Sequence, residues 1–307
     1  MNTDTKIATR QSYGNALLEL GEKNNKVVVL DADLSTATKT NLFAKEYKKR
    51  FFDMGIAEQD MIGTAAGLAT CGKIPYASTF AVFAAGRAYD QIRNSVAYPN
   101  LNVKICATHS GVTVGEDGAT HQMLEDIAMM RALPNMTVLS PSDDIQTKWM
   151  IEEISKIKGP VYVRLSRLAT PVIYDEKDTF KIGKAVQIGK GTDGTIFATG
   201  DTVAEAIKAK DLLEKKGKYV RVVDMHTIKP IDEKAILKCA EETEKLVSVE
   251  DHNVIGGLGS AISEVLTDKY PKKLTRLGIK DVFGKSGKAE ELMQYFKIDA
   301  KSIADQF

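Results

Sequence analysis

Short, continuously apolar runs alternate with helical patterns along this chain, and that alternation limits its fold more than any other feature. Runs at 26–30, 103–107, 137–139, 160–163, 195–198, 219–223 and 245–249 read as strands, as does 74–77. Helical patterns fall between them at 11–20, 57–69, 85–97, 143–157, 203–215 and 259–269. Strands that are apolar throughout are covered on both faces, and strands separated by helices pair in parallel. The expectation is an α/β protein built on parallel sheets. A length of 307 residues suits about two domains. The stretch 170–194, rich in Lys, Asp and Gly and containing Pro171, separates two series of α/β units. A larger domain is expected at 1–170 and a smaller one at 190–307.

Composition removes several classes of function. The net charge is +1, from 42 basic and 41 acidic residues, so bulk binding to nucleic acid or to a membrane surface is not expected. The three cysteines, Cys71, Cys106 and Cys239, are far apart and form no CxxC pair. A disulfide framework and structural zinc are both disfavoured, and a reducing cytoplasm fits. No apolar run approaches the roughly 20 residues that a membrane helix needs. The N-terminus lacks the apolar core of a signal peptide.

The richest chemistry lies in Thr108-His109-Ser110-Gly111-Val112-Thr113-Val114-Gly115-Glu116-Asp117-Gly118-Ala119-Thr120-His121, directly after an apolar strand. Polar, Gly-rich sequence leaving such a strand is where open α/β sheets bind ligands, and His109 and His121 suit proton transfer near neutral pH. Glu58, at the start of a small-residue helix, has two readings. It is either a first-turn acid favoured by the helix dipole or a shielded carboxyl able to share a proton with a heterocyclic nitrogen. Phe80 and Phe83, at i and i+3, are either core or a platform for a flat ring. Arg10, at a helix start, and Arg167, after a strand, want anionic partners, either carboxylates or phosphates. Asp31 and Asp33 end a strand and either cap the next turn or serve a site. The turn Gly256-Gly257-Leu258-Gly259-Ser260 lacks the Lys of a phosphate loop and reads as tight strand-to-helix packing. His226 and His252 read as structural.

In order along the chain, these segments resemble the C-terminal half of a transketolase. Gly55-Ile56-Ala57-Glu58-Gln59 resembles the family's pyrimidine-binding glutamate motif, and Thr79-Phe80 with Phe83 resembles its aromatic cofactor wall. His109 with Val114-Gly115-Glu116-Asp117-Gly118-Ala119-Thr120-His121-Gln122 resembles its substrate loop. Ala8-Thr9-Arg10 and Leu165-Ser166-Arg167 resemble its two sugar-phosphate arginines. The resemblance implies a thiamine-diphosphate pyrimidine-binding domain with a parallel sheet, followed by a smaller transketolase C-terminal α/β domain. It implies thiamine diphosphate as cofactor, with Glu58 hydrogen-bonded to the aminopyrimidine and so favouring its imino form. Phe80 and Phe83 would pack on that ring, and Asp33 would join them in cofactor binding. His109, Asp117 and His121 would bind sugar hydroxyls and assist proton transfers. Arg10 and Arg167 would hold the substrate phosphate.

Two departures from the family pattern stand out. The family's serine phosphate ligand aligns near Ala37, leaving Thr36 or Thr38 as substitutes. The chain also contains no Gly-Asp-Gly, the motif by which the family holds diphosphate and metal. The resemblance then implies a split enzyme. A separate N-terminal-type subunit would hold the diphosphate and a magnesium or calcium ion, and an α2β2 assembly would place two copies of this chain in contact. The activity implied is two-carbon ketol transfer between sugar phosphates. Alternatives are a subunit resembling deoxyxylulose-phosphate synthase or the β subunit of 2-oxo-acid dehydrogenase E1, and a non-catalytic binding module.

Overall fold

A computed structural model describes residues 2–307. A seven-stranded sheet runs in the order Thr227–Lys229, Thr137–Leu139, Val161–Arg164, Lys104–Thr108, Ile74–Phe80, Val27–Asp31, Phe51–Asp53. All its pairings are parallel except that of Thr227–Lys229 with Thr137–Leu139. Every residue of Val27–Asp31, Ile74–Phe80, Lys104–Thr108 and Val161–Arg164 is buried, as continuously apolar strands require. Helices Thr9–Lys23 and Asp144–Ile154 cover one face through Tyr13, Leu17, Leu20, Met150, Ile151 and Ile154. Helices Glu58–Thr70 and Asp126–Arg131 cover the other through Met61, Ile62, Ala65, Ile127 and Met130. Each fully buried Leu, Ile or Met side chain contributes about 1.5–3 kcal/mol.

The second sheet has the order Leu274–Ile279, Lys245–Asn253, Gly194–Ala198, Val220–Asp224, Val186–Ile188, with only Val186–Ile188 antiparallel to its neighbour. Helices Thr202–Glu214 and Ala300–Ala304 pack on one face, and Glu233–Glu242 and Leu258–Lys269 on the other. The two sheets are not separate. Thr227–Lys229, from the C-terminal part of the chain, is an edge strand of the larger sheet.

Two expectations need correction. The stretch 85–97 is not one α-helix. Ala88 N–H donates to Phe83 O at 3.2 Å and Tyr98 N–H to Arg93 O at 2.9 Å, the wide turns of a π-helix. Ala84, Ala85 and Ala88 face the core from these turns. Phe80 and Phe83 therefore do not share an α-helix; Phe80 ends a strand and Phe83 sits in the first wide turn.

Candidate functional site

Asp31, Phe80, Thr108 and Arg164 are the last residues of four neighbouring parallel strands. The site residues collect at these carboxyl ends, where α/β sheets open onto ligands. Arg10 and Arg167 meet although they are far apart in sequence. An antiparallel pair, Asn2–Ala8 with Ala169–Val172, sets Ala8 opposite Ala169 and brings their flanking arginines together. Ser166 N–H donates to Thr9 Oγ1 at 2.8 Å and tightens that junction.

A row of contacts runs across the strand ends. Glu58 opens its helix at 1% exposure, and Arg87 Nη1 donates to its Oε2 at 2.8 Å. The Arg87 guanidinium lies 4.5 Å from the centre of the Phe83 ring, a cation–π contact. Phe83 stacks near-parallel on Phe80, with centroids 5.9 Å apart, and Phe80 stacks on His109 at 3.7 Å. His121 meets the Phe83 ring edge-on at 5.7 Å. Arg10 Nη1 reaches His109 Nε2 at 3.2 Å and donates to Ala37 O at 3.0 Å. The aromatic pair is thus a two-ring floor between a buried carboxylate and a cationic end.

His109 is buried, at φ +57°, a conformation rare for a residue with a side chain. Burial, with Arg10, Arg167, His121 and Lys39 around it, pushes its pKa down to about 3. Its imidazole is therefore neutral at physiological pH. Arginine can only donate, so Nε2 accepts from Arg10 and Nδ1 carries the proton toward Thr108 Oγ1, 2.8 Å away. His109 is set up to accept a hydrogen bond rather than to deliver a proton as an imidazolium. Arg10 also has a buried Nε with no partner. Its pKa is lowered by burial and by Arg167, the situation of a cation that gains from an incoming anion.

Arg167 Nη1 donates to Val114 O at 2.7 Å and pairs with Asp117 at 3.4 Å. Glu58, Phe80, Phe83, His109, His121, Arg10, Asp117 and Arg167 therefore form one connected surface. Asp33 stands apart. It is exposed in a left-handed turn, with its N–H on Asp53 Oδ1 at 3.2 Å. Asp31 is the buried anchor, accepting from Leu34 N–H and from the Thr38 and Thr40 hydroxyls. Its own burial raises its pKa to about 6. This overturns Thr38 as a phosphate ligand, because its hydroxyl is committed to Asp31 at 2.6 Å. Thr36 is exposed.

Sequence reasoning missed Arg87 and Lys39. Arg87 follows Phe83 by four residues, a spacing that sets ring and guanidinium side by side. Lys39 carries no local signal beyond its charge. Two amides of the Gly-rich turn at 256–260 are taken by a side chain of the same chain. The Glu250 carboxylate accepts from Leu258 N–H at 2.6 Å and Gly259 N–H at 2.9 Å, and a Cβ on Gly257 would stand 2.0 Å from it. His252 and His226 are buried, and burial pushes both pKa values down to about 4. Among the described residues, no group of three or more His, Cys, Asp or Glu could hold a metal ion, and no helix is long and apolar enough to cross a membrane.

Comparison with known proteins gives the family. The family model "Transketolase, pyrimidine binding domain" matches residues 5–172, and "Transketolase, C-terminal domain" matches residues 183–303. A putative transketolase C-terminal section from Methanocaldococcus jannaschii is 56% identical over 298 residues, covering 96% of this chain and 93% of that protein. A 6-deoxy-6-sulfo-D-fructose transketolase subunit from a Clostridium species is 43% identical, covering 96% and 91%. A solved structure described as a split gene transketolase, an inactive β4 tetramer, is 50% identical with a TM-score of 0.91, covering 97% of this chain and 96% of that one. The chain belongs to the transketolase family, as a pyrimidine-binding domain followed by a transketolase C-terminal domain.

Proposed function

We propose that this chain is the C-terminal subunit of a split transketolase, moving a two-carbon ketol unit between ketose and aldose sugar phosphates. The observation that carries the reading is the continuous row from Glu58 through Phe83, Phe80 and His109 to Arg10 and Arg167. It offers a buried carboxylate and an aromatic floor at one end, and two arginines, one with an orphaned buried Nε, at the other. That arrangement suits an aminopyrimidine at the first end and a substrate anion at the second. The units proposed are a pyrimidine-binding domain at 1–170 and a C-terminal domain at 190–307.

Thiamine diphosphate, when bound, supplies a carbon centre that stabilises the acyl carbanion. In this reading Glu58 holds a hydrogen bond to the pyrimidine ring, and Arg87 holds Glu58 in place. Phe80 and Phe83 carry the ring, and Asp33 is assigned to cofactor binding although it stands apart from that row. His109, held neutral, would orient a sugar hydroxyl at its Nε2 once Arg10 turns from that nitrogen to the phosphate, with Asp117 and His121 also assigned to the sugar. Arg10 and Arg167 hold the terminal phosphate, whose remote binding positions the reacting carbonyl. The diphosphate and a magnesium or calcium ion are assigned to an N-terminal-type subunit carrying Gly-Asp-Gly, within an α2β2 assembly in the cytoplasm. The split-section relative and the split-gene structure support that assignment.

The test is reconstitution with a candidate N-terminal subunit, thiamine diphosphate and a divalent metal, screened with xylulose 5-phosphate and with pyruvate. Ketol transfer from the sugar only in the mixture is expected. Full activity from this chain alone sinks the split-enzyme reading, and turnover of pyruvate alone moves the chain to the synthase or dehydrogenase branch. The sulfo-sugar relative favours one variation, a donor whose terminal anion is not phosphate. The same screen with a sulfonated ketose separates it.

A further inference from the structure

We infer that Asp201 and Asp251, both from the C-terminal domain, clamp the substrate loop through Thr113, and that Asp201 is the member that takes up a proton and, once protonated, donates to the threonine hydroxyl. The consequence for sugar binding rests on the function proposed above; the clamp itself does not. Thr113 Oγ1 lies 3.0 Å from Asp201 Oδ2 and 2.9 Å from Asp251 Oδ2. All three residues are buried. A hydroxyl has one hydrogen to give, and ionised carboxylates only accept. With both aspartates ionised, one of these contacts would set oxygen lone pairs against each other in a dry site. One added proton turns both contacts into hydrogen bonds.

The surroundings assign that proton. Asp251 Oδ1 already accepts the Val112 N–H at 2.8 Å, and its Oδ2 accepts the Thr113 N–H at 3.2 Å. Arg164, which donates to the Asp251 main-chain oxygen at 2.7 Å, is its cationic neighbour and is itself paired with Asp126. Asp251 is therefore held as the acceptor. On the same strand Glu250 caps the following helix, and His252 is held neutral by burial. Asp201 faces Asp251, Thr113 and Ser166, with Arg164 as the cation acting on it, and burial with the Asp251 charge pushes it up to about 6. Of the two carboxyls, Asp201 is the one that binds the proton on the acid side of that value. Ser166 bonds Thr9, and these two residues adjoin Arg167 and Arg10.

The sequence is cut to fit this clamp. Gly111 adopts φ +76°, and a Cβ on it would stand 2.0 Å from Asp251 Oδ2. Asp201 and Asp251 are positioning residues; they touch the loop and not the reacting atoms.

Amide hydrogen exchange across 109–122 of the full chain, from pH 5 to pH 8, tests the inference. In the wild type, protection corrected for intrinsic exchange falls about tenfold as the shared proton leaves, the factor for one unit of proton affinity. Asp201→Asn keeps the acid-side protection throughout, because a carboxamide donates from the same place. Asp251→Asn loses protection at every pH, because its one carboxamide oxygen can replace only one of the two carboxylate oxygens that the loop amides use, and its NH2 group opposes the other amide. In the reconstituted enzyme the same order appears in KM for the sugar phosphate, with kcat less affected. Flat protection in the wild type, or Asp201→Asn as open as Asp251→Asn, overturns the inference; the wild-type pH series decides it even if a variant misfolds. Absent ketol transfer by the wild type would remove the proposed function and leave the exchange result to stand on its own.

Discussion

The two walls of the site are held in different ways. The carboxylate wall is local: Glu58, Phe80, Phe83 and Arg87 lie within 30 residues of one another and touch through one pair bond and stacked rings. The anion wall is assembled from distance. The antiparallel pair at 2–8 and 169–172 brings Arg10 to Arg167, and the second domain holds the loop from His109 to His121 through Asp251, Asp201 and the Lys285 carbonyl, which accepts from Gln122. The first wall is recognised from a short motif. The second depends on how the domains dock, and so exposes it to changes far from any substrate.

Variants separate the walls. The largest effect is expected for Glu58→Ala, a loss of about 10²- to 10⁴-fold in turnover, the range for removing a group that manages a proton. Its thermal unfolding stays near wild type, and retained activity would dissolve the carboxylate wall as a functional unit. Arg164→Leu leaves Asp126 as an unpaired buried charge and is expected to destabilise the chain by about 3–5 kcal/mol in urea unfolding. Its loop amides open before those of the helix Glu58–Thr70; simultaneous opening would show the walls to be one unit. Arg10→Ala is expected to raise KM for a phosphorylated donor about 10- to 100-fold, as for loss of a charge-assisted hydrogen bond, and to leave an unphosphorylated donor unchanged. An equal effect on both donors would remove Arg10 from the anion site.

The smallest effect at neutral pH concerns His109. Its pKa in the folded chain is about 3 against an ordinary 6.5, so the stability it contributes is complete above pH 6.5 and is lost as the pH falls toward 3. His109→Gln is expected to lessen the acid decline by about 1.4 kcal/mol per pH unit within that window, in denaturant melts at several pH values. An unchanged slope would mean that the imidazole is not held neutral by its surroundings.

How much the sequence shows follows the same division. Central strands are visible because burial on both faces makes them continuously apolar. The run at 103–107 becomes Lys104–Thr108, and the lysine is tolerated because its Nζ donates to the carbonyls of Ile157 and Gly159. Short edge strands such as Phe51–Asp53, Val186–Ile188 and Thr227–Lys229 leave no pattern of their own, since their neighbours decide their pairing. The wide turns after Phe80 are invisible to a 3.6-residue period, and the Arg87–Glu58 pair joins two elements that no local pattern links. Site residues inside short motifs are legible one by one. Lys39, Asp201 and Asp251 are not, because the elements that meet there are distant in sequence.

The central claim is that this chain supplies one half of a shared cofactor site. Calorimetric titration of thiamine diphosphate with metal into this chain, into the Gly-Asp-Gly subunit and into their mixture tests it most directly. The account predicts full affinity only in the mixture, weakened when the mixed chain carries Glu58→Gln. Equal affinity for this chain alone, or a mixture indifferent to Glu58, would contradict it.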